Sequence, residues 1–125
     1  MARNELVRWG IDLGTTNSAI AILLGRDVDV VRNRFGDQTS ASAVYFSKSG
    51  GEVHLEVGKK AKDRMATKPK SVATEFKRYM GESGWRFQAL PDEPGHTAAD
   101  LSSHVLRELK NSLQKREGLP PLHGS

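Results

Sequence analysis

The sequence predicts a mixed α/β domain in which an antiparallel meander of strands packs against helices and closes on one long C-terminal helix. Three observations predict it. Up to Val57 the apolar residues alternate, or run in short blocks, between clusters of Gly, Asp and Asn. Beyond Lys59 the apolar spacing lengthens to that of helices. From Leu101 to Leu113 an apolar residue recurs every four positions behind a capping signal.

Leu6 to Ile11 places Val7, Trp9 and Ile11 on one side, as a half-buried strand does. Asp12 to Asn17 is small and polar and reads as a turn. Ser18 to Leu24 is apolar on both faces, which predicts a strand covered on both sides. Gly25-Arg26-Asp27 turns the chain into a third strand with Val28 and Val30. A loop through Asn33, Gly36 and Asp37 leads to a strand at Ala43–Phe46, whose hairpin partner carries Val53, Leu55 and Val57 after Gly50-Gly51. Lys59 to Ala66 reads as a helix with Ala61 and Met65 on one face, ended by Pro69. A second short helix is expected from Ser71, with Val72, Phe76 and Met80 on one stripe, and a brief strand over Trp85–Leu90. Pro91, Pro94 and Gly95 mark a loop. Thr97 and Asp100 stand at capping-box spacing, with Asp in place of the usual Glu or Gln. The helix is expected over Ala98–Glu117, stopped by Gly118 and Pro120-Pro121.

The 125 residues suit one domain. Apolar residues make up 37% and charged residues 27%, as in globular chains rather than disordered ones. The longest apolar run, Ala19–Leu24, is far short of the ~20 residues that span a bilayer, so no membrane role is expected. The N-terminus has no apolar secretory stretch, and the absence of cysteine excludes disulfides, thiolate zinc sites and cysteine nucleophiles. Both fit a cytoplasmic location. Between Gly58 and Arg78 eight Lys and Arg face two acidic residues, a local balance of +6 against +4 for the whole chain. A solvated face is the ordinary reading, and polyanion binding is the functional one; no specific nucleic-acid motif is present. The four histidines are scattered, and Ser102-Ser103-His104 point apart on a helix, so neither a metal site nor a nucleophile–base pair is expected.

The chemistry concentrates in Gly10-Ile11-Asp12-Leu13-Gly14-Thr15-Thr16-Asn17-Ser18. Gly14 permits a tight turn and a close approach, and successive amides at Gly14, Thr15 and Thr16 can form an anion-binding concavity. The threonine hydroxyls add donors for phosphate. Asp12, a hard oxygen ligand, suits Mg²⁺ held through water. A carboxylate beside a phosphate site calls for a cation between them. The competing reading is an ordinary hairpin turn built of turn-forming residues.

This string closely resembles the first phosphate motif of the heat-shock protein 70 (DnaK-type) chaperones, which belong to the actin and sugar-kinase ATPase superfamily. Four further segments resemble the same family in the same order. Gln38–Phe46 is similar to its next strand entry, with Ala41 where proline is usual. Val57-Gly58-Lys59-Lys60-Ala61-Lys62 is similar to its glycine-alanine-lysine helix start, and Phe76–Gly81 to its lysine-arginine-hydrophobic-glycine segment. Thr97–Leu113 then resembles the helix before the family's second phosphate region. The resemblance implies an incomplete ribonuclease H-like, actin-like ATPase lobe. Residues 1–125 would form a partial nucleotide-binding domain, with the rest of the ATPase domain and the peptide-binding domain absent. The implied ligands are ATP or ADP with Mg²⁺. Gly14, Thr15, Thr16 and Asn17 would hold the nucleotide phosphates, Asp12 would face the Mg²⁺ shell, and Lys77 would sit near the γ-phosphate as a catalytic charge. In the complete family, partners are client peptides, J-domain co-chaperones and nucleotide-exchange factors, and the outcome is protein folding under stress. The stretch Glu82–His96 is shorter than the family's. With only part of the cleft, at most weak nucleotide binding and no turnover are expected. The alternatives are a non-enzymatic module docking through its exposed face to a partner or complementary lobe, and polyanion binding through Lys59–Arg78; Trp85 and Phe87 are expected at the core or its edge, or else on an exposed apolar patch that invites self-association.

Overall fold

The computed structural model describes residues 8–115. Two small antiparallel sheets share one core beneath the long helix. The first sheet contains β1 (Arg8–Leu13), β2 (Asn17–Leu24) and β3 (Asp27–Val30), with the short β4 (Ser40–Ala41) joining the same edge of β2 near its start. The second runs β6 (Glu52–Val57), β5 (Ala43–Ser49), β7 (Val72–Thr74). The expected mixed α/β architecture is thus present, but the meander divides into two sheets. The chain crosses between them at Ser42.

Burial explains the division. In β2, Ser18, Ile20 and Ile22 are buried, whereas Ala19 and Ala21 are half-buried and Leu23 and Leu24 exposed. The expectation that β2 is covered on both faces is therefore corrected. β5 is the strand enclosed on both sides. Val44 and Phe46 enter the main core, while Ala43 and Tyr45 pack with Ala61 and Val72 on the opposite face. A strand covered by helices on each side reads as an unbroken apolar run, as Ala43–Phe46 does.

Helix α2 (Ala98–Gln114) lies across both sheets. Its stripe of Leu101, Val105, Leu109 and Leu113 packs into one cluster with Ile20 and Ile22 from the first sheet and Val44 and Phe46 from the second. Leu101 and Leu113 are fully buried, each a gain of about 1.5–3 kcal/mol. The capping box is formed: the Asp100 amide donates to Thr97 Oγ1 (3.0 Å) and the Thr97 amide to Asp100 Oδ2 (3.2 Å). Residues Leu6, Val7, Glu117, Gly118, Pro120 and Pro121, on which the outer strand and helix boundaries were placed, lie outside the described residues.

Three other expectations change. The Lys59–Ala66 helix is α only over α1 (Lys59–Asp63), continues as a 3₁₀ turn through Ala66, and buries Ala61 but leaves Met65 exposed. The segment from Ser71 is not a helix. Val72–Thr74 pairs with Ala43–Tyr45 as β7, and only Phe76–Tyr79 forms a 3₁₀ turn. Val72 and Phe76 consequently enter different clusters, and Met80 is exposed. Trp85–Leu90 contributes a single bridge, Phe87 with His96, rather than a strand.

Candidate functional site

The turn between β1 and β2 is closed by a hydrogen bond from the Gly14 amide to the Asn17 carbonyl (3.1 Å). Glycine is required here for space. A Cβ at Gly14 would stand 2.3 Å from the Asn17 carbonyl oxygen, and its φ is not in the left-handed region. The close approach is therefore to the turn's own backbone. The Gly14 amide is engaged within the turn, so of the three amides expected to meet an anion, those of Thr15 and Thr16 have no protein acceptor among the described residues. Thr15 is half-buried, and Asp12, Thr16 and Asn17 are exposed.

Ser42 holds this turn from the side. Its amide donates to the Thr16 carbonyl (2.9 Å) and its hydroxyl to the Gly14 carbonyl (2.9 Å), and the same hydroxyl lies 2.7 Å from that of buried Ser18. Sequence reasoning singled out Ser42 only as part of a longer string. Its signal is a small polar residue inside an apolar block, where a buried hydroxyl needs a partner.

Thr15 and Thr16 line a cleft of about 180 Å³ together with Ala41, Ser42, Ala43, Lys62, Met65, Thr74 and Glu75. Sites that enclose a small organic ligand are typically ~300–1,000 Å³, so this cleft is smaller than such a site and of a size for a phosphate group. Glu75 is the one non-glycine residue with positive φ (54°) among the described residues, a conformation that such residues adopt sparingly and that concentrates at functional sites. It turns the chain from β7 into the 3₁₀ turn that seats Phe76 in the core and exposes Lys77. Lys77 therefore emerges two residues from the cleft wall without itself lining it. Asp12, at the end of β1, and Asn17 are also outside that lining; Asn17 lines a neighbouring polar cleft of about 410 Å³ with Lys59 and Lys62. Lys62 and Ala41 border both clefts.

No group of three or more His, Asp or Glu suited to a metal occurs among the described residues. Asp12 as a lone carboxylate fits Mg²⁺, which keeps several waters and takes its other ligands from phosphate oxygens. The donor is thus of a kind that fits Mg²⁺ accompanying a phosphate ligand.

A family model described as Hsp70 protein matches residues 8–112. Two curated relatives, both called chaperone protein DnaK and from two strains of Halobacterium salinarum, are 36% identical over 109 residues, covering 87% of this chain and 16% of each relative. The chain spans about one-sixth of the length of these relatives.

Proposed function

The chain belongs to the Hsp70 family, and from that premise we propose that it is the opening part of the ATP-binding domain of a DnaK-type chaperone. Residues 1–125 supply one wall of the site. Thr15 and Thr16 bind the β- and γ-phosphates through their amides and hydroxyls, with Gly14 and Asn17 shaping the turn. Lys77, a compact exposed cation, stabilises the negative charge that develops during phosphoryl transfer. Asp12 faces the Mg²⁺ shell, and the ion when bound neutralises phosphate charge. The complete molecule hydrolyses ATP to control client peptides, with J-domain co-chaperones and nucleotide-exchange factors as partners, in the cytoplasm. No helix among the described residues is long and apolar enough to cross a membrane.

The observation that carries this reading is the pair of Thr15 and Thr16 amides, without a protein acceptor among the described residues, on a braced turn bordering a phosphate-sized cleft. Binding by this wall alone is weak, because a single phosphate contact barely offsets the cost of ordering a nucleotide. Calorimetric titration with Mg-ATP at millimolar concentration tests it: a micromolar dissociation constant would overturn the partial-site reading. In a chain that spans the whole ATPase domain binding should be tight, and Asp12→Ala or Thr15→Ala should remove it. Unchanged binding in both variants would exclude the nucleotide reading.

A second reading has one observation in its favour. Within Lys59–Arg78, among the described residues, carboxylates pair with Arg64 (Glu56, 3.0 Å) and Arg78 (Glu75, 2.8 Å), and Lys59 lies over the Phe35 ring. Lys60, Lys62, Lys68, Lys70 and Lys77 are exposed without ion-pair partners among the described residues. Such a surface would bind polyanions with affinity that falls steeply with salt; salt-independent or absent RNA binding would exclude it.

A further inference from the structure

We propose that Ser42 is the positioning residue of the phosphate turn, fixing the direction of the Thr15 amide through the carbonyl on the same peptide. The inference rests on the nucleotide reading above and names the group that prepares its binding wall. Ser42 is 3% exposed and joins β4 to β5, where the chain passes from one sheet to the other. A hydroxyl has one proton to give. The Ser42 hydroxyl gives it to the Gly14 carbonyl at 2.9 Å. In the 2.7 Å contact with Ser18, Ser18 is therefore the donor and Ser42 the acceptor. The result is a directed chain from Ser18, 1% exposed, through Ser42 to Gly14. Each bond in such a chain polarises the next.

The geometry of the peptide transmits this bracing to the Thr15 amide. No peptide among the described residues is cis, and in a trans peptide the N–H points opposite to the C=O. The Gly14 carbonyl and the Thr15 amide share one peptide plane. Anchoring that carbonyl on Ser42 turns the Thr15 N–H to the far side. The Ser42 amide anchors the Thr16 carbonyl in the same way, so both ends of the Thr15–Thr16 pair are held from one residue. A flipped Gly14–Thr15 peptide would instead present a carbonyl oxygen to an anion. Ser42 opposes the flip, because the flip would take away the carbonyl acceptor of its hydroxyl and break the directed chain from Ser18.

The test compares Ser42→Ala, Ser42→Thr and Ser18→Ala, following amide resonances of the full chain during titration with Mg-ATP, with urea unfolding measured in parallel. Losing a hydrogen bond of this kind should weaken binding by roughly three- to tenfold. Ser42→Ala should show that loss and move the Thr15 amide resonance before any nucleotide is added. Ser42→Thr, which keeps the hydroxyl, should restore both, whatever its effect on unfolding. Should Ser42→Ala not fold, Ser18→Ala removes only the donor into Ser42 and should shift the Thr15 resonance in the same direction by less. The proposal is overturned if Thr15 is unmoved in Ser42→Ala and Ser18→Ala, or if Ser42→Thr behaves like Ser42→Ala. Absence of any nucleotide-induced shift in the unsubstituted chain would sink the nucleotide reading, while the Thr15 resonance of the free variants would still decide the role of Ser42.

Discussion

At Gly14 one added methyl group would meet a backbone oxygen that cannot move without opening the turn. Gly14→Ala should therefore destabilise the fold by about 1–3 kcal/mol, as overpacking does, and the urea midpoint should fall accordingly; an unchanged midpoint would show that the turn yields freely. That a glycine mattered here was legible from the string around it. Its reason was not, because the carbonyl it avoids comes from Asn17 and is brought close only by the pairing of Leu13 with Ser18. Ser42 was illegible for a related cause: its partners are 24 and 28 residues away in sequence. The histidines also gain meaning only in the fold. Phe46 is stacked on His96 at 4.3 Å between ring centres, with the His104 ring edge-on at 6.4 Å. Burial, aided by Arg107 and His96 and opposed by Asp100, holds His104 below its ordinary 6.5. The folded state thus disfavours the protonated ring, so its contribution to stability is complete above pH 6.5 and is lost as pH falls toward the folded value. Urea midpoints should decline over that interval, and His104→Met should remove the step. The Thr97 amide, and then its hydroxyl, hold Asp100 below 3.8; that contribution is present above 3.8 and fades at lower pH, a separate acid step.

Helix α2 is the element that sequence described best, since its stripe, its capping pair and its approximate length are all local properties. Thr97→Ala should cost about 1 kcal/mol through loss of the cap, and Leu101→Ala about 2–5 kcal/mol through the cavity left between the two sheets; both are read from urea unfolding. A loss below 1 kcal/mol for Leu101→Ala would mean that α2 is not seated on the core. The segment after Pro69 shows the opposite case. Val72, Phe76 and Met80 have helical spacing, but Val72–Thr74 pairs with Ala43–Tyr45 along the edge of β5, which suits its two β-branched residues. Tertiary pairing outweighed local periodicity there. The same competition shortened α1, where Ala61 is buried and Met65 stays exposed.

Across the whole molecule, one helix packs on two sheets, and the turn that borders the cleft is hydrogen-bonded to the segment that joins them. Thr15 and Thr16 come from the first sheet and Thr74 and Glu75 from the second, so the cleft is a seam between sheets that α2 and Ser42 hold in register. Resemblance of ordered segments made the family legible before any fold was known. The seam itself could not be read, because its two walls are about 60 residues apart in sequence. Titration with Mg-ATP followed through the backbone amides tests the central claim most directly. The Thr15 and Thr16 resonances should shift together, saturating in the millimolar range, and Thr15→Ala should abolish the response. Unmoved Thr15 and Thr16 amides, with shifts confined to Lys59–Lys70, would contradict it.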